Sequence, residues 1–499
     1  MFMSLICDRK TRMGVGMRRS LLSLFVVALL GGCQLGPSPS QLGRVEPVAA
    51  LPQPGPTVSP AESAIGAREH QRVLAQYGGV YSDPDVQRET EQIVKRLVEA
   101  SDEPGRSYRV TILNSPVANA FALPGGYVYV TRGLLALADD RAEVAAVLAH
   151  EMAHVILKHA IARAQKAQTS ELVERVATDV LSDSKAGQSA RLNSRMTLAS
   201  FSRDQENEAD RTGVQIAGRA GYDPFAASRF LDKLKRYAAF RSASGEKDDA
   251  QNFLSSHPAA LERRALVIKA ARQFGAPGVG EQGRIPYLKA IDGLVYGDDP
   301  SEGFVRGREF LHPRLAISFK VPPQYRLENT REAVLAAAGR DTAMRFDGVK
   351  APENQSPESY LASGWINGLE EGSIEPRTVN GLPAAVATAV AGDWQFRIGA
   401  IRLGRSIYRF IFAQRGGSGD IDAALSQTLA SFHRLDPVEV ARLRPLRIDL
   451  VITNPGDTVQ SLATRMKGVE RGEELFRILN GLSDDEPIGA GRMVKVISD

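Results

Sequence analysis

Cysteine is almost absent. The chain has two in 499 residues, at positions 7 and 33, so no disulfide framework can hold the fold together. Long apolar runs are missing too: the stretch 21–30 is shorter than the ~20 residues a membrane-spanning helix needs, and nothing after residue 31 resembles one. No sign of charge dominates. The 62 Lys and Arg oppose 58 Asp and Glu, and a formal net charge of +4 with no basic run and no glycine-rich phosphate loop gives no basis for a nucleic-acid partner. Histidine is scarce, with seven in the chain, whereas a hydrophobic content of 43% over this length is enough for about three domains.

Two of the seven histidines stand four apart in His150-Glu151-Met152-Ala153-His154, inside an apolar-periodic run from 141 to about 164. On a helix both imidazoles project from one face and can hold one zinc ion, with Glu151 beside them to activate a water. The competing reading is an amphipathic helix with two chance histidines. A zinc peptidase needs a third protein ligand and one open position. A third histidine six residues on, preceded by glycine, is closed off, because Leu157 and Ala160 occupy those positions. His159 would be rotated about 140° off the ligand face of a straight helix, as a flank residue or a helix-end cation. Glu206 and Asp210 are again four apart, ahead of a helical pattern at 212–220. That spacing lets one helix offer Glu206 to the metal and Asp210 to a ligand imidazole, with Glu208 pointing away.

In order, H-E-x-x-H, the E-x-x-x-D of Glu206-Asn207-Glu208-Ala209-Asp210, Gly221-Tyr222-Asp223-Pro224, and Ser256-His257-Pro258 with Arg263 resemble the gluzincin peptidases that include HtpX, BepA, Oma-type proteases and the CAAX prenyl protease, metallopeptidase family forty-eight. The resemblance covers about residues 65–275. It implies one zinc per chain held by His150, His154 and Glu206, Glu151 as general base, and Asp210 as the partner of a ligand. His257 is the second catalytic candidate, as an oxyanion donor or as occupant of the open position in a resting enzyme; alternatively it caps the helix that begins near Pro258. Arg263 either orients a carboxylate or is solvated. HtpX and the prenyl protease have several transmembrane helices, and here this chain departs from them.

Upstream, residues 119–131 read as two short strands about a Pro124-Gly125-Gly126 turn. In gluzincins such a strand pairs with extended substrate, which makes Asn119, Ala120 and Phe121 the substrate-strand candidates. An ordinary core hairpin is compatible with that role. The polar segment 160–196 is a candidate cover for the cleft.

Arg18-Arg19, the apolar stretch and Leu30-Gly31-Gly32-Cys33 resemble a bacterial lipoprotein signal. A plain signal peptide is the alternative, and Met17 would begin a more compact one. The lipoprotein reading makes 1–32 a signal peptide, Cys33 the lipidation site and 33–63 a Pro-rich tether. Gln34 in place of Asp favours the outer membrane, facing the periplasm. Residues 64–275 are then the peptidase domain, mainly helical with a small edge hairpin, and 276–300 a linker. Residues 301–437 form an α+β domain with an antiparallel sheet that faintly resembles PsbP-type domains. His312 and His433 in it are structural in this reading.

Residues 446–499 carry a strand, helix, helix, strand order with Gly456-Asp457-Thr458 at the first helix and Asn480-Gly481 after the second, which resembles LysM, a glycan-binding module. Asp457 or Thr458 capping and Gly481 as a helix stop explain these residues without a ligand. The expectation is an α+β protein: a membrane-anchored periplasmic zinc metalloendopeptidase that cuts misfolded or misassembled envelope proteins. Peptidoglycan is a candidate partner for 446–499. An assembly chaperone or scaffold for outer-membrane proteins is the runner-up, and a cell-wall-tethered binding protein the third reading. The anchor and the C-terminal module are expected to act on location and not on chemistry.

Overall fold

The computed structural model describes residues 58–163, 201–243, 253–257, 261–330, 332–416, 420–469 and 471–499. The signal 1–32, Cys33, the tether to residue 57 and the cover segment from 164 onward lie outside the described residues. No helix among the described residues is long and apolar enough to cross a membrane.

The first described helix, α1 (Pro60–Gln76), starts where Ser59 and Glu62 cap one another and Pro60 takes the first helical position. Asp83 caps α2 (Pro84–Ala100), whose Val86, Ile93, Val94 and Leu97 face the core. Three strands come next: β1 (Arg109–Leu113), β2 (Ala120–Leu123) and β3 (Tyr127–Thr131). Their order is β1-β3-β2, with β2 and β3 antiparallel and β1 and β3 parallel. The hairpin turns at Gly125 and Gly126, both at positive φ (90° and 81°), where a side chain would be strained. β2 is therefore the edge strand of this sheet.

After α3 (Arg132–Leu137), Asp140 caps α4 (Arg141–Ile156), which is buried on all sides from Ala142 to Val155. A helix that is apolar all round belongs at the centre of a domain. Against it lie α5 (Arg203–Arg219), α6 (Ala226–Ala243) and one helical turn at Phe253–Ser256, and α7 (Leu261–Ala271) packs on α5 and α6. The expected linker is not a bare connector. Gly275, Gly278 and Gly280 do turn the chain at positive φ, but beyond them come α8 (Arg284–Ala290) and β4 (Val295–Tyr296), and Tyr287, Leu288, Ile291 and Leu294 enter the main core.

Residues 301–437 build their own cores. Strands β5 (Phe304–Arg306), β6 (Glu309–His312), β7 (Ile317–Lys320), β8 (Arg326–Asn329), β9 (Val334–Ala337), β10 (Thr342–Lys350), β11 (Glu375–Val379), β12 (Leu382–Ala391), β13 (Trp394–Leu403), β14 (Ser406–Arg415) and β15 (His433–Arg434) form two antiparallel sheets. One has the order β11-β12-β13-β14-β10-β9-β8, the other β15-β7-β6-β5. Helix α9 (Ile421–Ser431) packs on both, over a core with Phe319, Phe346, Phe410 and Phe432. His312 accepts from the Leu315 N–H at 3.3 Å, and His433 Nδ1 lies 2.9 Å from the Ser431 carbonyl oxygen.

The chain then returns to the first core. Strand β16 (Leu446–Ile452) pairs with β4 and with β17 (Met493–Ser498), and α10 (Val459–Ala463) and α11 (Gly472–Leu479) lie between them in sequence. Thr458 caps α10, and Gly481 comes just after α11 at φ 62°. Residues 446–499, expected as a LysM-like module, do not keep a core to themselves: Ile448, Leu462, Phe476, Leu479 and Ile497 share one continuous core with α2 and α4. Lys495 is fully buried, and its ammonium donates to the carbonyls of Ala136 at 2.9 Å and Ala138 at 2.6 Å, at the end of α3. Asn480 locks the strand to α11, donating to Phe476 O at 3.0 Å and accepting from the Lys495 N–H at 2.8 Å.

A shared core should melt as one unit. Phe476→Ala is expected to cost about 3–5 kcal/mol, and to lower the temperature of zinc release by roughly 10 °C. Both tryptophans, Trp365 and Trp394, lie in the middle region, so their fluorescence transition should stay in place. Zinc release unchanged from the parent would show that the C-terminal segment is energetically independent.

Candidate metal centre

The centre is assembled where α4 and α5 cross. Gly213 on α5 makes the approach possible: a Cβ there would lie 2.9 Å from the His150 backbone nitrogen. At that distance one helix can face the other with two turns of ligands. His150 Nε2 and His154 Nε2 lie 3.0 Å apart, and Glu206 approaches each of them at 3.6 Å. His257, just past the turn Phe253–Ser256, places Nδ1 3.2 Å from His150 Nε2 and 3.0 Å from Glu206 Oε1. Zinc bonds of about 2.0–2.2 Å in a tetrahedron put donor atoms roughly 3.3 Å apart. The four donor atoms all lie within 4.8 Å of one another and are buried, so the set fits that ion.

The protonation states agree. Burial lowers the pKa of His150, lowers that of His154 further, and takes that of His257 down to about 3. Neutral imidazoles present lone pairs, as metal ligands must. Burial also raises Glu206, against the pull of His150 and Arg263. Glu151 is raised well above the ordinary carboxylate range by burial and by the neighbouring Glu206. Its Oε1 is buried without a hydrogen-bond partner among the described residues, 3.4 Å from His257 Nε2.

Supporting contacts hold each ligand in orientation. Asp210 Oδ1 lies 3.0 Å from His150 Nδ1, which leaves Nε2 for the metal. Arg263 donates to both Asp210 oxygens at 2.7 and 2.8 Å, and its Nη1 lies 2.8 Å from Glu206. Burial favours a protonated Asp210, but hydrogen bonds from Arg263 and His150 win and hold it down at about 2. Arg263 thus orients carboxylates and is not solvated. Asn119 lies just before β2, and Ala120 and Phe121 within it, beside α4.

His159 is the residue that spacing misplaced. The helix ends at Ile156, Lys158 turns the chain at φ 55°, and His159 swings back under His154, with its Nδ1 2.9 Å from His154 Nδ1. The His154 tautomer with its proton on Nδ1 would donate to His159 and keep Nε2 for the ligand position. Glu208 stays partly exposed and outside the ligand set, but it lies 3.4 Å from His159 Nε2 and is not idle. Gly213 was also missed, although a glycine inside a helical pattern is itself a signal of close approach.

Residues 84–271 match the sequence model of peptidase family M48. Mitochondrial metalloendopeptidase OMA1 of Schizosaccharomyces pombe is 28% identical over 204 residues, 40% of this chain and 58% of that protein. The beta-barrel assembly-enhancing protease of Escherichia coli K12 is 29% identical over 230 residues, 44% of this chain and 46% of its own length, and that of Yersinia pestis 30% over 261 residues, 47% and 52%. The chain spans about half the length of these relatives. Cyanobacterial PsbP from Synechocystis sp. PCC 6803 covers 28% of this chain and 98% of its own at 12% identity, with a TM-score of 0.21, too low to carry an argument.

Glu206→Ala should lose most zinc affinity, whereas Asp210→Ala and His159→Ala should each cost roughly 10–100-fold. Glu208→Ala should cost less than His159→Ala. Glu151→Gln should keep its zinc. Titration against a chelating dye measures the order, and a larger loss for Glu208→Ala than for Glu206→Ala would put the wrong face of α5 at the metal.

Proposed function

We propose that this chain, a member of the M48 metallopeptidase family through residues 84–271, is a lipid-anchored periplasmic zinc endopeptidase that cuts misfolded or misassembled envelope proteins. One observation carries the reading: His150, His154 and Glu206 converge within bonding range of a single ion, with Glu151 beside them and an edge strand alongside. The β-barrel assembly-enhancing relatives support the envelope context.

A zinc ion held by those three residues would supply Lewis-acid polarisation of the scissile carbonyl and acidify a water. The chain's own groups do the rest. The open edge of β2 takes the substrate backbone in extended form. Glu151, dry and with a raised pKa, is suited to accept a proton from the attacking water and deliver it to the leaving amine nitrogen. His257 Nδ1 stands among the donors of the cluster, which favours the resting-occupant role over that of oxyanion donor. The imidazole must leave that corner before substrate enters. Such a restrained site also accommodates the runner-up reading, an assembly chaperone with secondary proteolysis.

Casein cleavage should disappear with a chelator, return with zinc, and fall roughly 10²–10⁴-fold in Glu151→Gln. His257→Ala should cleave faster than the parent. Stoichiometric zinc with no cleavage by either protein would transfer the function to the chaperone reading. Lipidation at Cys33 is tested separately: Cys33→Ala should leave the membrane fraction almost completely, since multiple acyl chains anchor far more firmly than one. Retention of that variant on membranes would remove the lipid anchor.

A further inference from the structure

We propose that α1, which precedes the family-matched segment, forms with β2 a preformed pocket that selects a large apolar side chain of the substrate beside the scissile bond; the inference rests on the peptidase reading and names the substrate feature that site recognises. A cavity of about 300 Å³ opens from Glu151, His154 and His257. Its apolar wall is Val73 and Tyr77 from the α1 end, Phe121 and Leu123 from β2, and Val155 and Ile161 from the active-helix side. That volume is at the small end for binding sites, suited to one large side chain and its flanking backbone.

Contacts among α1, β2 and β3 hold the wall in place. Gly66 passes so near the Pro124 carbonyl that a Cβ would overlap it. His70 Nδ1 hydrogen-bonds the Tyr129 hydroxyl at 2.7 Å, and Tyr77 packs on Phe121 with ring centroids 5.2 Å apart. Asn119 donates to the Tyr77 hydroxyl at 3.2 Å. A wall fixed before binding loses little entropy when it is filled.

The charged side chains Glu62, Lys158 and Arg163 stand in the lining. Glu62 accepts from the Ser59 N–H at 3.0 Å and lies 3.7 Å from Arg106, while the Arg163 guanidinium sits 4.3 Å over the Phe201 ring. The apolar wall favours Leu, Met or Phe over Lys or Asp. A folded protein hides such side chains and an unfolded one exposes them. Selection of unfolded polypeptide then needs no separate sensor: the pocket is filled only when a core residue has come free in an extended segment.

The test separates binding from turnover. Fluorescent peptides that differ at one position (Phe, Ala or Lys) are titrated by anisotropy into zinc-loaded full-length protein carrying Glu151→Gln. The Phe peptide should bind roughly 10-fold tighter or more. Adding Val73→Trp, which fills the pocket, should erase the preference, and Val73→Thr, of similar shape, should reduce it about threefold or more; zinc content reports that each variant is folded. Equal binding of the three peptides, or a preference that survives both Val73 variants, overturns the pocket. Preferred binding of the Phe peptide without cleavage by the parent or by His257→Ala leaves the pocket standing and overturns the peptidase reading instead.

Discussion

The whole constellation depends on how closely α4 and α5 cross at His150 and Gly213. An interior glycine costs a helix about 1 kcal/mol relative to alanine, yet any side chain at 213 would meet the His150 backbone. With the axes that close, two residues one turn apart on α5 reach two residues one turn apart on α4. Glu206 then enters the ligand set and Asp210 backs His150 in the same motion. Separate the helices by the width of a methyl group and the carboxylate would lose one imidazole or the other. The position of Arg263 depends on the same crossing, since it spans both carboxylates at once.

Burial of so many ionisable groups needs its own explanation, because buried ion pairs are poor sources of stability. Three carboxylates, Glu151, Glu206 and Asp210, are buried together, and the Arg263 guanidinium reaches two of them, Glu206 and Asp210. A bound dication would offset further negative charge. Burial raises the pKa of both Glu151 and Glu206, and the Glu206 charge adds to the rise at Glu151. Asp210 escapes because Arg263 is committed to both of its oxygens. Burial and charge thus set Glu151 and Glu206 apart from Asp210 within one site.

The sequence reads most clearly where structure is local. The four-residue spacing of His150 with His154 and of Glu206 with Asp210 survives folding because each pair lies within one helix. The hairpin about Gly125-Gly126 is legible for the same reason: turn chemistry acts over a few residues. His159 was not, because its role depends on where α4 stops, and Lys158 makes that turn with no glycine to announce it. The Gly275–Gly280 run marked a real change of direction but not a domain boundary. Beyond it, β4 finds its partner β16 about 150 residues later in the chain and α8 packs on α2 far upstream, separations that no periodicity reports.

Lys495 shows the same limit from the other side. In Val494-Lys495-Val496 it reads as the solvent-facing residue of an alternating strand, yet β17 is covered on both faces and the ammonium ends against the α3 carbonyls. A buried lysine is tolerated only where such acceptors are already in place, so the strand and the α3–α4 corner require each other. Asp139 and Lys233 extend that contact to α6, and Asp140, which caps α4, adjoins it. The terminal segment therefore helps to fix the start of the helix that carries the candidate ligands His150 and His154. By contrast, residues 301–437 bury their aromatic cores among themselves and enter and leave between β4 and β16. The unit that can be removed without cutting through a core is this insertion, and not the segment at the end of the chain.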